Sequence, residues 1–540
     1  MKKLKNLKKN PLLIIFICIS LGTLFVSGCI DSSQQELTLP EETRTVLAPG
    51  EEEGNPLKVV MIFGPSDSLD PAYKWVGWYV RCAGIYETLF AYDEDMQLVP
   101  ELASEYEQLN STAWKISLRP DVRFHDGSPF NADAVVHSIN RVLDPENSRY
   151  SQYEFIASVS KQDELNVLIR TKEPYAPTIA SLTDPLLSIV SPNASDPAHS
   201  PVGTGPFRFE SYEEGIRLTV VRNEAYRNGA VLLKGASIEY VPDPITRTLR
   251  LQAGEADIVR GIPETEVELI NEAPELEVLS RETLRTAFMY VNTRKAPLDN
   301  VKVRQALNYG LNREEIVRTA LEGVGGVPAE GIFPSTLPWS SNERLEGYTH
   351  DPEKAKALLA EAGISDTDGD GWLEYAGKPF TLNIRTYDKR PELKPTAEVM
   401  ASQLEAIGIK TEVLIRETGA LSADVSDGNY DLALYAWGVA PTGDPDYFLS
   451  LHFESSGKQA GWTGYSSSEV DEWIRLGRSS QDPEERQACY DKVQEKVMED
   501  SPEIFVFYYT ELVGENTKVK GYRIYPNEIS FLTKDISLEK

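Results

Sequence analysis

Histidine and cysteine are scarce in this chain, five and four residues among 540. Two of the cysteines, Cys18 and Cys29, lie at the amino terminus, which leaves Cys82 and Cys489 as the one pair that could bridge in an oxidising compartment. Cys82 and Cys489 are expected to be two separate buried thiols. With so few imidazoles, the usual catalytic signatures are missing as well: no His-Glu-x-x-His, no Gly-x-Ser-x-Gly, no Walker loop and no recognised Cys–His pair. Basic residues are outnumbered, 54 Lys and Arg against 84 Asp and Glu, for a formal charge of -30. Such a surface repels nucleic acid. Beyond the amino terminus, no stretch approaches the ~20 apolar residues of a bilayer span.

The one apolar run is informative. Lys2, Lys3, Lys5, Lys8 and Lys9 precede Leu12 to Val26, the layout of a signal peptide rather than of a spanning helix. Val26-Ser27-Gly28-Cys29 resembles a lipobox, which makes residues 1–28 a lipoprotein signal and Cys29 the lipidation site. Residues 29–56 are polar and acidic with little to bury, and read as a flexible tether. The mature chain is expected outside the cytoplasm, a monomer anchored to the outer face of the membrane through lipid.

The most telling stretch runs from Ala103 to Phe130. Trp114, Ile116 and Leu118 alternate with Lys115, Ser117 and Arg119, the period of a half-buried strand. His125-Asp126-Gly127 makes a turn, and Asn131 caps a helix with Val135, Ile139 and Val142 on one stripe. The wording Leu-Arg-x-Asp-Val-x-Phe-x-Asp-Gly-x-Pro-Phe resembles the signature of the extracytoplasmic solute-binding proteins of peptide and nickel ABC importers. The resemblance continues through Val202-Gly-Thr-Gly-Pro-Phe207, Val241 to Ile258 and Leu284 to Leu307, and covers nearly all of 57–540. It implies a two-lobed α/β periplasmic-binding-protein-like fold with mixed sheets and flanking helices. The first lobe would span 57–283 with a subdomain at about 91–200, the second 284–508, and 509–540 would return to the first.

The residues themselves fit that plan. A strand, helix and strand over Phe380 to Ile415 suit a parallel βαβ unit. Asn312 with Glu315 forms a capping box, and Asp351-Pro352 caps a further helix. Gly203-Thr-Gly205 lacks the Lys and helix of a phosphate cradle and reads as a tight turn into a hairpin. Segments near 284–292 and 504–509 cross between lobes, so hinge closure is expected.

Candidate binding residues follow. Tyr73, Trp75 and Trp78 border the ligand, as the resemblance implies; alternatively Trp75 and Trp78, three apart, form the core stripe of a helix. The resemblance also puts Tyr435 and Trp437 at the cleft, with a loop to Asp444 and Asp446, which fix the loop or cap the next helix. Peptide binders of the family carry an Asp after this Trp for the ligand ammonium, and here Val439-Ala440-Pro441 stands instead. Nickel-type members use one His as direct ligand; His452 lies in the corresponding loop, and an imidazole suits Ni²⁺. Arg149 and Tyr153 would serve on the opposite lobe. Ser181 to Pro185 carries Asp184 where a carboxylate-binding Arg is expected, leaving Arg385 or Arg390 for that task. Separately, Asp366, Asp368, Asp370 and Glu374 occupy positions 1, 3, 5 and 9 of a loop that would suit Ca²⁺, although position 12 is Gly377.

No cofactor is required by this reading. The expected function is capture of a short peptide or a nickel or other metal chelate and its delivery to an ABC permease, without catalysis. An extracellular peptide hydrolase is the contrasting function. An oligosaccharide binder, or a sensing or chaperone role of the same fold, is the nearer one.

Overall fold

Two long strands, Leu276–Val291 and Glu503–Asn516, pair antiparallel from Leu276↔Asn516 to Tyr290↔Glu503 and belong to both halves of the molecule. The structure is a computed structural model that describes residues 56–539, so the signal, Cys29 and nearly all of the tether lie outside the described residues. Around the shared pair runs one continuous sheet. On one side come Leu432–Gly438, Thr381–Tyr387 and Lys410–Arg416; on the other come Ile258–Arg260, Leu57–Met61, Gly235–Tyr240, Arg217–Arg222 and Phe207–Glu213. The lobes are thus hinged on backbone they share. The register slips between Glu282 and Thr286, a bulge at the point where the strands pass from one lobe to the other.

Each lobe has its own core. Ala287 to Val291 are buried without alternation, as expected of strands covered on both faces, and pack with Leu307, Met400, Leu404 and Phe448 in the second lobe. In the first lobe, Val59, Leu218 and Ile238 face one layer with Val80 and Tyr86, while Val60 and Val259 face the other with Leu251 and Ile270. The βαβ unit is present: Thr381–Tyr387 and Lys410–Arg416 are parallel and joined by the helix Leu393–Ala406. Asn312 caps its helix by accepting from the Glu315 N–H, but the reciprocal bond of a capping box is not made. Gln403 takes the Asn312 N–H instead and donates to Glu315, tying this helix to the crossover helix.

A third core belongs to an antiparallel sheet ordered Ala103–Asn110, Ala113–Leu118, Asn166–Thr171, Ile156–Asp163. Trp114, Ile116 and Leu118 point inward, and Asn131 accepts from Ala134 N–H at 3.2 Å to start the helix Ala132–Val142. Gly127 turns the corner at φ +82°. Gly203 and Gly205 are needed for another reason: a Cβ there would stand 2.2 and 2.1 Å from the Ile85 and Gly84 carbonyl oxygens. Cys82 is buried as expected, whereas Cys489 is only half-buried on the surface of a helix, and both thiols are free.

His125 seals the junction between this subdomain and the first lobe. Its Nδ1 accepts from Gly203 N–H at 3.3 Å, so the Nε2–H donates to the Gly205 carbonyl at 3.0 Å, which fixes the neutral tautomer. Burial holds its pKa down at about 4; Arg208 adds to the effect and Asp126 opposes it. The unfolded chain takes up a proton below about 6.5 while the native ring does not until about 4, so His125 costs stability as pH falls through that window. Between pH 7 and pH 5 the wild type is expected to lose about 1–2 kcal/mol more than His125→Gln, checked by urea unfolding at both pH values.

Candidate functional site

Where the shared strands leave the first lobe, a cavity of about 360 Å³ opens between the halves. Its first-lobe wall is aromatic. Trp75, Trp78 and Tyr79 come from the start of the short helix Val76–Cys82, and Phe63 from the end of the first strand. Trp75 remains 48% exposed, so these rings line a cleft instead of filling a core, although Trp78 also leans on the first-lobe core. Opposite them stands Trp437, at the end of the strand Leu432–Gly438, beside Tyr447, Pro441 and Tyr509.

The floor is charged and comes from the hinge. Arg285 lies in the register slip and clamps Glu528 with two hydrogen bonds, 3.1 and 2.9 Å. Arg260 bonds Glu511 at 3.0 Å and stands 4.0 Å from Glu528. Burial pushes the Glu528 carboxyl upward, but Arg285, Arg260 and Arg390 outweigh it and hold its pKa at about 2. Glu528 also sits at φ +60°, a strained conformation for a non-glycine residue, held by this clamp. Arg390, the third guanidinium in the cavity, differs from the other two. Among the described residues it donates no hydrogen bond; its nearest carboxylate is Glu392 at 3.5 Å, already accepting from the Tyr509 hydroxyl at 2.8 Å. Burial works against its charge, and Tyr509 and Glu392 outweigh burial, so it stays a cation. A solute here meets stacking rings on two sides and one guanidinium whose donors are all unspent.

Several expected site residues have other duties. His452 is fully buried, its Nδ1 2.8 Å from Glu503 Oε1 and its ring stacked on Phe448 at 3.7 Å. Burial pushes the imidazole well below its usual range and Glu503 well above its own. Its ring meets the Trp437 ring edge-on at 5.5 Å, and His452, the expected metal ligand, is not among the residues that line the cavity. Tyr435 is also buried, one strand repeat deeper than Trp437, between Tyr290 and Tyr387.

Arg149 is spent as well. It pairs with Asp184 at 2.6 Å, and Tyr153 donates to the same carboxylate at 2.5 Å. Asp184 therefore occupies the expected Arg position because it is Arg149's partner. The guanidinium lies 3.9 Å from the Trp75 ring and props that ring against the cleft. Tyr73 is turned outward to Asp67, and Asp444 is buried against Arg486 at 2.7 and 3.0 Å. Arg385 bonds Asp424, which leaves Arg390 as the carboxylate-binding candidate of the two.

The Asp-rich loop is assembled as expected, with oxygens of Asp366, Asp368, Asp370 and Glu374 within 4.8 Å of one another, but none lines the cavity. Each of these carboxylates also accepts backbone N–H bonds that close the turn, Asp366 from Gly369 and Gly371 and Glu374 from Thr367.

Two lobes on shared strands, closing over a cleft of rings and a spare cation, define a binding protein of the periplasmic two-lobed class. The model of the bacterial extracellular solute-binding proteins, family 5, matches residues 97–460, and the chain belongs to that family, which serves ABC importers. Among curated proteins it is 28% identical over 470 residues to the glutathione-binding protein GsiB of Pectobacterium atrosepticum, covering 84% of this chain and 88% of that one. It is 31% identical over 455 residues to heme-binding protein A of Haemophilus influenzae, covering 78% and 81%. Among solved structures, a nickel ABC transporter protein from Bacillus halodurans superposes with a TM-score of 0.77 at 28% identity, covering 90% of this chain and all of that one. No helix among the described residues is long and apolar enough to cross a membrane.

Proposed function

We propose that this protein captures short peptides bearing a free carboxylate, in the manner of glutathione, outside the cytoplasmic membrane and hands them to the permease of an ABC importer. The observation that carries the reading is Arg390, a guanidinium in the cleft with unspent donors between aromatic walls. Arg260 and Arg285 already face Glu511 and Glu528, so an incoming carboxylate completes the charge balance. Similarity to a glutathione-binding protein over most of both chains supports this cargo. The burial of His452 speaks against nickel held by an imidazole of the protein. A chelate would have to be held by its carboxylates alone.

Capture requires no covalent change. Contacts from both lobes stabilise the closed form that the permease recognises, a shift of population and not a reaction. The hydrolase alternative has no support in the family or in the cleft. The lipobox at Val26 to Cys29 supports a chain cleaved before Cys29 and tethered by its lipid, close to the permease.

Native mass spectrometry of protein purified from its own envelope, with metal analysis, tests the reading. A peptide-sized ligand without stoichiometric nickel is expected, on a chain beginning at a lipid-modified Cys29. Bound nickel at one per chain, or turnover of a peptide library, would overturn it. Trp437→Ala is expected to weaken peptide binding about 10-fold, read by calorimetry, because it removes one stacking wall. Unaltered affinity would move the cleft elsewhere.

A further inference from the structure

A second cavity of about 400 Å³ lies between the subdomain and the second lobe, walled by Tyr153, Phe155 and Tyr175 on one side and by Thr442 to Leu451 with Arg478 on the other. Tyr447 is the one residue that lines both this cavity and the cleft. The loop that leads into it and the first turn of the helix Asp446–Phe453 that carries it form the partition: Gly438 and Pro441 face the cleft, while Thr442, Asp444 and Asp446 face the second cavity.

That loop is pinned. Asp444 is bonded to Arg486, and Asp446 to Arg478 at 3.0 and 3.1 Å, both carboxylates buried. Gly443 turns at φ +65° against the Tyr92 ring, where even a Cβ would stand 2.2 Å from the ring. The subdomain is fastened to the same region, since Ala176 N–H donates to the Arg478 carbonyl at 2.7 Å. With the backbone fixed on both sides, the Tyr447 ring, half-buried and packed against the edge of the second-lobe core, is the one side chain common to both cavities, so a change of its χ rotamer is what would join them.

The outer cavity is open, because Ser151, Glu154, Lys172 and Glu173 on its lining are exposed. Asp444 and Asp446 are neutralised by their arginines, so its free charges are two acids and one lysine. The inner cavity has the opposite balance, three guanidiniums to two carboxylates.

We propose that Tyr447 is the length gate of the binding site: it confines cargo to short peptides, and its displacement would let a longer peptide run from the cleft into the outer cavity. The carboxylate would lie at Arg390 and the ammonium end would emerge toward Glu154 and Glu173. This rests on the peptide reading given above, and it adds which residue sets the upper size and which way the chain runs.

The test is calorimetry of unmodified alanine-based peptides, from dipeptide to octapeptide, against wild type, Tyr447→Phe and Tyr447→Ala. Wild type and Tyr447→Phe are expected to share one profile that falls beyond about four residues. In Tyr447→Ala the ratio of octapeptide to tripeptide affinity is expected to rise at least 10-fold. Should that variant fail to fold, Tyr447→Leu, which keeps an apolar side chain but shortens it, carries the same comparison. A wild type with no length preference, or an unchanged ratio in the folded variants, overturns the gate while leaving the peptide reading intact. A wild type that binds none of the peptides overturns the cargo reading and the gate with it.

Discussion

Arg390→Ala is expected to weaken binding of a free-carboxylate peptide about 100-fold, and to abolish the difference between that peptide and its C-terminal amide. The magnitude follows from a charge-assisted, two-point contact in a part-buried cleft, worth about 1.5–3 kcal/mol directly and more when the partner is left unpaired. Three guanidiniums line the cavity, yet among the described residues only this one donates no hydrogen bond: Arg285 is clamped to Glu528 and Arg260 is tied to Glu511. Amidation removes the same interaction from the ligand side. Wild type should therefore lose nearly as much on amidation as on mutation, and the two losses should not add. Calorimetry with the acid and the amide on both proteins closes the cycle. If Arg390→Ala still prefers the acid by the wild-type factor, the carboxylate sits on Arg260 or Arg285, beside Glu511 and Glu528, and Arg390 is not its partner. Arg390→Lys should keep part of the affinity, since a point charge replaces a planar fork.

What could be read in advance was what is local. The strand through Trp114 and the helix capped by Asn131 depend on neighbours within a few residues, and both form as periodicity requires. The same holds for the βαβ unit and for Trp437, a ring at the end of an apolar strand. Pairings distant in sequence were hidden. Arg149 looked available because Asp184 stands 35 positions away, and Glu528 gave no signal at all. The burial of His452 was legible: it follows Phe448 by four positions in an apolar helix, the spacing that stacks two side chains on the same buried face. Arg285 and Glu511 left no distinctive trace, because the crossing strands carry other charges, Glu277, Arg281, Glu282 and Glu515, that do not line the cleft. Asp444 and Asp446 read as loop-fixing residues, and that is what their arginines make of them.

Glu87→Ala is expected to cost about 3–5 kcal/mol of stability, the range for stripping one partner from a buried ion pair. Glu87 lies in the buried run Ile85 to Phe90, its side chain 1% exposed, and its carboxylate accepts from Arg227 at 2.5 and 2.6 Å, Tyr226 at 2.9 Å and Thr204 at 2.7 Å. Arg227, 4% exposed, then reaches the Glu101 carbonyl, and Glu101 pairs with Arg81 at 2.7 Å. This network ties the start of the subdomain to the first lobe, well apart from the residues that line the cleft. Removing the carboxylate leaves the Arg227 cation buried without a counter-charge, which is where the cost arises; the lost attraction alone would be smaller. Two further variants separate these contributions in urea unfolding. Glu87→Gln keeps acceptors for Thr204 and Tyr226 and should lose less than alanine. Glu87→Ala combined with Arg227→Met removes both charges and should regain much of the loss, because the stranded cation is gone. A double variant as unstable as Glu87→Ala would mean that the cost comes from packing around the Glu87 side chain and not from the stranded charge.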